Sequence, residues 1–237
     1  IRLPDFEKIY TGGAPVFPRS LREFSETFVN ASINVLYGST EAEPVSHVSL
    51  REIRDRDLEK MKSGRGLLVG NVSEETELRI LPDRWGTSYH PMTREDFEEL
   101  AQPTESLGEI VVSGGHVVPG YLNGRGDVEN KIHVDGTVWH RTGDAGWLDR
   151  EGRLWLMGRC SAKMEIEGDT VYPFSVECAV VELLDVRLAG CLPTDNGYIL
   201  AIPSLSRTNL VDILSGKIPK PAKVVQLKDF PVDKRHN

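Results

Sequence analysis

The sequence predicts an α/β fold that passes into an α+β one: the end of a large α/β domain with a β-rich subdomain, then a small C-terminal α+β domain. Three observations predict it. Leu21, Phe24 and Phe28 recur at helical spacing and lead into the short apolar run INVLY at 33–37, a helix followed by a buried strand. From about residue 64 the pattern changes to short β-prone runs, GLLVG, ELRIL and GEIVVSG, cut by glycine, proline and charged turns. After Arg159 it becomes mixed again.

Taken in order, TGGAP reads as a loop, SLREFSETFVNAS as a helix, and INVLY as a parallel strand that delivers Gly38, Ser39 and Thr40 as a loop at its end. This α/β layer is assigned to residues 1–47, with its earlier strands expected upstream of Ile1. RDRDLEKMK has balanced charge and reads as a solvated helix face. The β-rich subdomain is assigned to 48–158, so the large domain spans 1–158; within it DREGR is a turn between VWHRTGDAGWL and the alternating strand RLWLMG. The small domain is assigned to 159–237, with KMEIEG, a helix in SVECAVVELL after Pro173, a strand in GYILAIP and a helix near TNLVDILSG.

Composition narrows the function classes. With 39% hydrophobic and 27% charged residues the chain reads as globular rather than disordered. A net charge of -8 argues against a nucleic-acid binder, which gains affinity from a basic face. Cys160, Cys178 and Cys191 are odd in number and lack CxxC spacing, so neither a disulfide framework nor a zinc site is expected, and a cytoplasmic location is. No apolar run is long enough to span a membrane, and IRLPDFEKIY lacks the features of a signal peptide. His47, His116, His133, His140 and His236 show no metal-ligand spacing; His140 reads as a structural hydrogen bonder.

The chemistry is carried by an ordered series: GGAP at 12–15, YGSTEAEP at 37–44, GEIVVSGGHVVPGYL at 108–122, RTGD at 141–144 and GR at 158–159. Each alone is weak, because such turns arise by chance in many folds. Together, at these separations, they resemble the adenylate-forming (AMP-binding) enzyme superfamily of acyl-CoA synthetases, adenylation domains and luciferases. The RHN ending and the YGSTEAEP loop are most similar to its fatty-acyl ligase and β-lactone synthetase branch.

The resemblance implies ATP and Mg²⁺ as cofactors and a carboxylic acid, fatty or hydroxy-fatty, as the small-molecule substrate. The acid would attack the α-phosphate of ATP to give acyl-AMP and pyrophosphate, catalysed mainly by positioning and charge neutralisation. Gly12, Gly13, Ala14 and Pro15 would lie along the adenine and acyl pocket, and Tyr37 would stack on adenine beside Gly38 and Ser39. Thr40 would donate to the α-phosphate and Glu41 would hold Mg²⁺, both counted as catalytic. Asp144 would accept from both ribose hydroxyls and Arg159 would contact ribose or phosphate. A hinge for the small domain would fall near Ser161. The acyl acceptor would be CoA, a carrier-protein phosphopantetheine thiol or an internal β-hydroxyl.

The sequence also departs from the family pattern. The Ser/Thr/Gly-rich phosphate loop is expected upstream, and FPVDKRHN resembles the approach to a catalytic lysine just beyond Asn237, so Lys234 is not that lysine and these residues alone are expected to be inactive. Glu165 stands where many CoA-ligating members have lysine, which weakens any transfer of CoA-specific function. Two rival readings remain. A noncatalytic nucleotide-binding or carrier-docking module would lack the upstream loop and terminal lysine; a purely structural domain would leave Asp144 and Arg159 far apart.

Overall fold

A computed structural model describes residues 3, 5–195, 197–205 and 209–230. The remaining residues include most of FPVDKRHN, so the expectations for Lys234, His236 and the approach to a catalytic lysine lie outside the described residues, as does the start of TNLVDILSG.

The chain opens with β1 (Lys8–Thr11), α1 (Pro18–Thr27), β2 (Ser32–Ser39), β3 (Ala42–Ser49), α2 (Asp55–Lys62), β4 (Leu67–Val72) and β5 (Glu77–Leu81). It continues through α3 (Arg94–Leu100), β6 (Gly108–Ser113), the single turn α4 (Asp127–Asn130), β7 (Lys131–Val134), β8 (Thr137–Leu148) and β9 (Arg153–Arg159). These nine strands form one mixed sheet in the order β1-β2-β3-β4-β9-β8-β6-β5, with β7 also on β8. Only β1 and β2 run parallel; the other pairings are antiparallel.

One expectation is corrected here. The YGSTEAEP stretch is a β-hairpin, not an open loop: β2 extends to Ser39, Thr40 and Glu41 form the turn, and β3 returns with Ser39 opposite Ala42. Gly38 permits it, because a Cβ there would lie 2.7 Å from the Ala42 carbonyl oxygen. The assigned boundary at residue 47 falls inside β3, which bonds to β2 on one side and β4 on the other.

Beyond β9 come a short helical turn at Cys160–Ala162, the hairpin β10 (Met164–Ile166) and β11 (Asp169–Val171), α5 (Pro173–Leu184), β12 (Gly190–Thr194), β13 (Gly197–Pro203), α6 (Leu210–Leu214) and β14 (Lys223–Leu227). The last three strands make a separate sheet, β12-β13-β14. The whole is therefore α/β passing into α+β, as the patterns predict.

Two apolar cores meet at α5. Proline at its first position costs no hydrogen bond and has a helical φ already set. Val176, Ala179, Val180 and Leu184 pack into the C-terminal core against Tyr198 and Leu200, while Cys178 belongs to the core of the large sheet with Trp155 and Leu154. A helix apolar on nearly every side is a buried one, and α5 is wedged between the two sheets. The turn at residues 160–162 that precedes it has a buried Cys160 packed on Ala145 and Tyr172, with Ser161 and Ala162 exposed.

Candidate functional site

The site begins with two neighbouring strand ends. Asp144 on β8 and Arg159 at the end of β9 are register partners, so antiparallel pairing alone sets their side chains together. The Arg159 guanidinium lies 3.2 Å from the Asp144 carboxylate and also donates to the Thr142 carbonyl. Tyr37, arriving from β2, donates its hydroxyl to the other Asp144 oxygen at 2.8 Å. Residues far apart in sequence thus converge on one carboxylate, which a domain with accidental motifs gives no reason to expect.

Burial pushes the Asp144 carboxyl above its usual range, against the pull of Arg159 and Tyr37. Burial, and next the Asp144 charge, raise the Tyr37 phenol far above its normal value, so it stays a donor. A carboxylate offers about four acceptor directions, and these contacts leave Asp144 able to accept more.

The group opens onto a cavity of about 240 Å³. Gly13, Ala14 and Pro15 edge it from the loop after β1, and Tyr37, Gly38, Asp144 and Arg159 supply its polar side. Val35, Leu67, Val69, Leu156 and Phe174 make an apolar wall. A cavity with an apolar lining and a few polar groups is the chemistry that accepts a ring carrying hydroxyl groups. Gly12 sits just outside, where a Cβ would lie 2.6 Å from the Leu36 carbonyl oxygen.

Thr40 and Glu41 lie apart from this cavity, on the β2–β3 turn; Thr40 is exposed. Ser39 ends β2 beside them. Glu41 accepts from the Tyr121 hydroxyl at 2.9 Å, and its backbone carbonyl accepts from the Val118 amide, which pins the YGSTEAEP hairpin to the GGHVVPGYL loop. Burial acts to raise the Glu41 carboxyl, but the Tyr121 hydroxyl and the backbone amide of Glu41 outweigh it and hold it below the usual range. Behind Tyr121, buried Lys131 lies 5.1 Å from its ring centre and 3.3 Å from Nδ1 of His140. Burial, and next Lys131, depress the His140 imidazole to about 4, so it is neutral near pH 7. Among the described residues no cluster of three or more metal-ligating side chains occurs.

Sequence reasoning missed Thr142, whose hydroxyl accepts from the Asp144 amide at 3.1 Å, and Tyr121, although both stand inside motifs already picked out. It also missed Phe174, which enters the cavity from α5 with no local signal beyond the preceding proline.

The AMP-binding enzyme family matches residues 2–122, just over half of the chain, and the chain belongs to that family. Among its relatives are the 2-succinylbenzoate–CoA ligase of Enterococcus faecalis, 26% identical over 95% of this chain, and the olefin β-lactone synthetase of Stenotrophomonas maltophilia, 28% identical over 99%. The chain spans 43% and 45% of their lengths. The O-succinylbenzoate coenzyme A synthetase of Bacillus subtilis, solved with ATP and magnesium ion, superimposes on 97% of the chain with a TM-score of 0.67 at 26% identity, and 45% of that structure is covered. No helix among the described residues is long and apolar enough to cross a membrane.

Proposed function

We propose that this chain forms the nucleotide-binding part of an enzyme that activates a carboxylic acid with ATP, making acyl-AMP and releasing pyrophosphate. The observation that carries it is the convergence of Tyr37, Asp144 and Arg159 on one cavity edged by the GGAP loop. In this reading the adenine ring lies on the apolar wall beside Tyr37, and the sugar hydroxyls donate to Asp144. Arg159 contacts ribose or phosphate, its fork of donors suited to either. Ser39 and Gly38 line the path towards the turn, where the Thr40 hydroxyl meets the α-phosphate.

Glu41 would hold Mg²⁺. The chemistry fits: a carboxylate kept ionised and partly exposed suits an ion that retains waters and substrate phosphates and takes only one or two protein carboxylates. The ion would neutralise phosphate charge as the acid attacks. The hinge near Ser161 and the division at 158/159 belong to the same proposal.

The acid is of the fatty or hydroxy-fatty class, and the acyl group passes to CoA or a carrier thiol, in the cytoplasm where the three free cysteines persist. Similarity to an olefin β-lactone synthetase favours a second fate, internal attack by a β-hydroxyl. The test is pyrophosphate release by the whole protein carrying this sequence, with ATP, Mg²⁺ and a panel of acids that includes β-hydroxy acids. Acid-dependent release is expected, and Asp144→Ala should raise the KM for ATP about 10- to 100-fold, the loss of one or two hydrogen bonds to a charged group. Absence of release with every acid would overturn the proposal.

A further inference from the structure

Asp144 sits on an irregularity in the sheet, and the irregularity has its own clamp. Glu109 on β6 is the register partner of Ala145, and Val111 that of Arg141, so residues 109 to 111 face 141 to 145. Thr142, Gly143 and Asp144 therefore bulge away from the ladder opposite Ile110. A bulge re-aims a side chain but leaves backbone groups to be satisfied otherwise. Here the Thr142 hydroxyl does part of this, donating to the Ile110 carbonyl at 2.8 Å and accepting from the Asp144 amide. Gly143 takes φ +70°, and a Cβ there would meet the Trp85 ring at 3.0 Å.

The two ends of the bulge are tied together by Arg141 and Glu109, the residues that flank it on opposite strands. Both are buried, at 2% and 0% exposure. The guanidinium bonds both Glu109 oxygens, with a shortest separation of 2.6 Å, and its free nitrogen donates to the carbonyls of Thr87 and Glu129. The Tyr89 ring lies 5.1 Å from the guanidinium. Neither Arg141 nor Glu109 lines the cavity. A buried ion pair is weak evidence for added stability but is well suited to fixing one geometry, and this one spans the segment that carries Asp144.

We propose that Arg141 and Glu109 are positioning residues: by closing the bulge they set where Asp144 stands, and so how tightly the cavity holds the sugar hydroxyls of a nucleotide. The proposal rests on the reading of Asp144 given above. Lysine cannot replace Arg141 in this role, because a point charge cannot bond both carboxylate oxygens and two carbonyls at fixed angles.

The probes are AMP and 2′,3′-dideoxy-AMP, titrated calorimetrically into the whole protein carrying this sequence. The unmodified protein should prefer AMP, Asp144→Ala should erase the preference, and Arg141→Lys should reduce it about 10- to 100-fold while leaving dideoxy-AMP affinity unchanged, the scale of loss that a misplacement of about 1 Å produces. A purely structural role would weaken both ligands alike or neither. If the unmodified protein shows no preference for AMP, the reading of Asp144 fails. If the preference exists, is lost in Asp144→Ala and persists in folded Arg141→Lys, the positioning role alone is overturned. Should Arg141→Lys not fold, Glu109→Gln, which keeps the shape and one acceptor, decides by the same comparison.

Discussion

At the scale of the residue, Tyr37 is the side chain whose contribution separates most cleanly. Its hydroxyl is one of two groups that oppose the upward push of burial on Asp144. Removing it in Tyr37→Phe takes away a force that favours the ionised carboxylate, so the Asp144 titration moves to still higher pH. If nucleotide binding needs the carboxylate ionised, the acid limb of AMP affinity against pH shifts upward in Tyr37→Phe, while affinity well above the limb falls by less than in Asp144→Ala. Calorimetric titrations across a pH series would read both. The same residue marks what was legible: YGST could be picked out by its place at the end of an apolar run, but nothing local to Tyr37 announces a partner at Asp144, since that contact exists only once β2, β9 and β8 share a sheet.

At the scale of the element, α2 is joined to β9 by an ion network beside the buried Met61, which shares an apolar core with Leu154 and Trp155. Arg153 grips both oxygens of Asp57 at 2.7 and 2.9 Å and also bonds Asp149 at 2.9 Å, all three being nearly or wholly buried. Asp57 also caps its own helix by accepting from the Arg54 amide. For both acids burial acts upward, yet hydrogen bonds outweigh it and hold them below the usual carboxylate range: those from Arg153 and Arg54 for Asp57, and those led by Trp155 and Arg153 for Asp149. A depressed folded pKa means that the unfolded chain takes up protons first as pH falls. This stability is therefore complete above the ordinary carboxylate range and is lost as pH drops through the lower, folded values. Asp57→Asn should cost about 1–3 kcal/mol in urea unfolding at neutral pH, the loss of a charge-assisted hydrogen bond to an Arg153 that keeps Asp149 as its partner, and should flatten the acid decline in melting temperature. The regular strands such as ELRIL and RLWLMG were readable from alternation. β3 was not, because Pro44 argues against an inner strand and buried Ser46, bonded to the Val69 carbonyl, interrupts the apolar pattern. The turn Thr93–Asp96 carries a usable helix signal, since the Thr93 side chain accepts from the Asp96 amide at the start of α3.

At the scale of the whole molecule, the C-terminal part is fastened to the sheet at several points besides α5. Lys163 and the Tyr172 hydroxyl both hold Asp83, at 3.1 and 2.7 Å, and Arg19 pairs with Asp185 across the same junction. The change of pattern after Arg159 was visible in the sequence; these cross-links were not, because each joins segments that share no local periodicity. The order of strands has a further consequence. β4 pairs with β9, Leu67 opposite Leu156, and β6 pairs with β8, so both inner edges stay bare until residues near 160 have been made. Bare edges invite pairing with other chains, and non-local pairings form slowly. The whole protein carrying this sequence, truncated after Leu122 at the end of the family-matched stretch, should therefore aggregate on expression and show no cooperative melting of this sheet, whereas truncation after β14 should leave the melting cooperative. For a ribosome making this protein, the first half of the sheet is a nascent chain waiting for its closing strand, and the demand for chaperones falls on that interval.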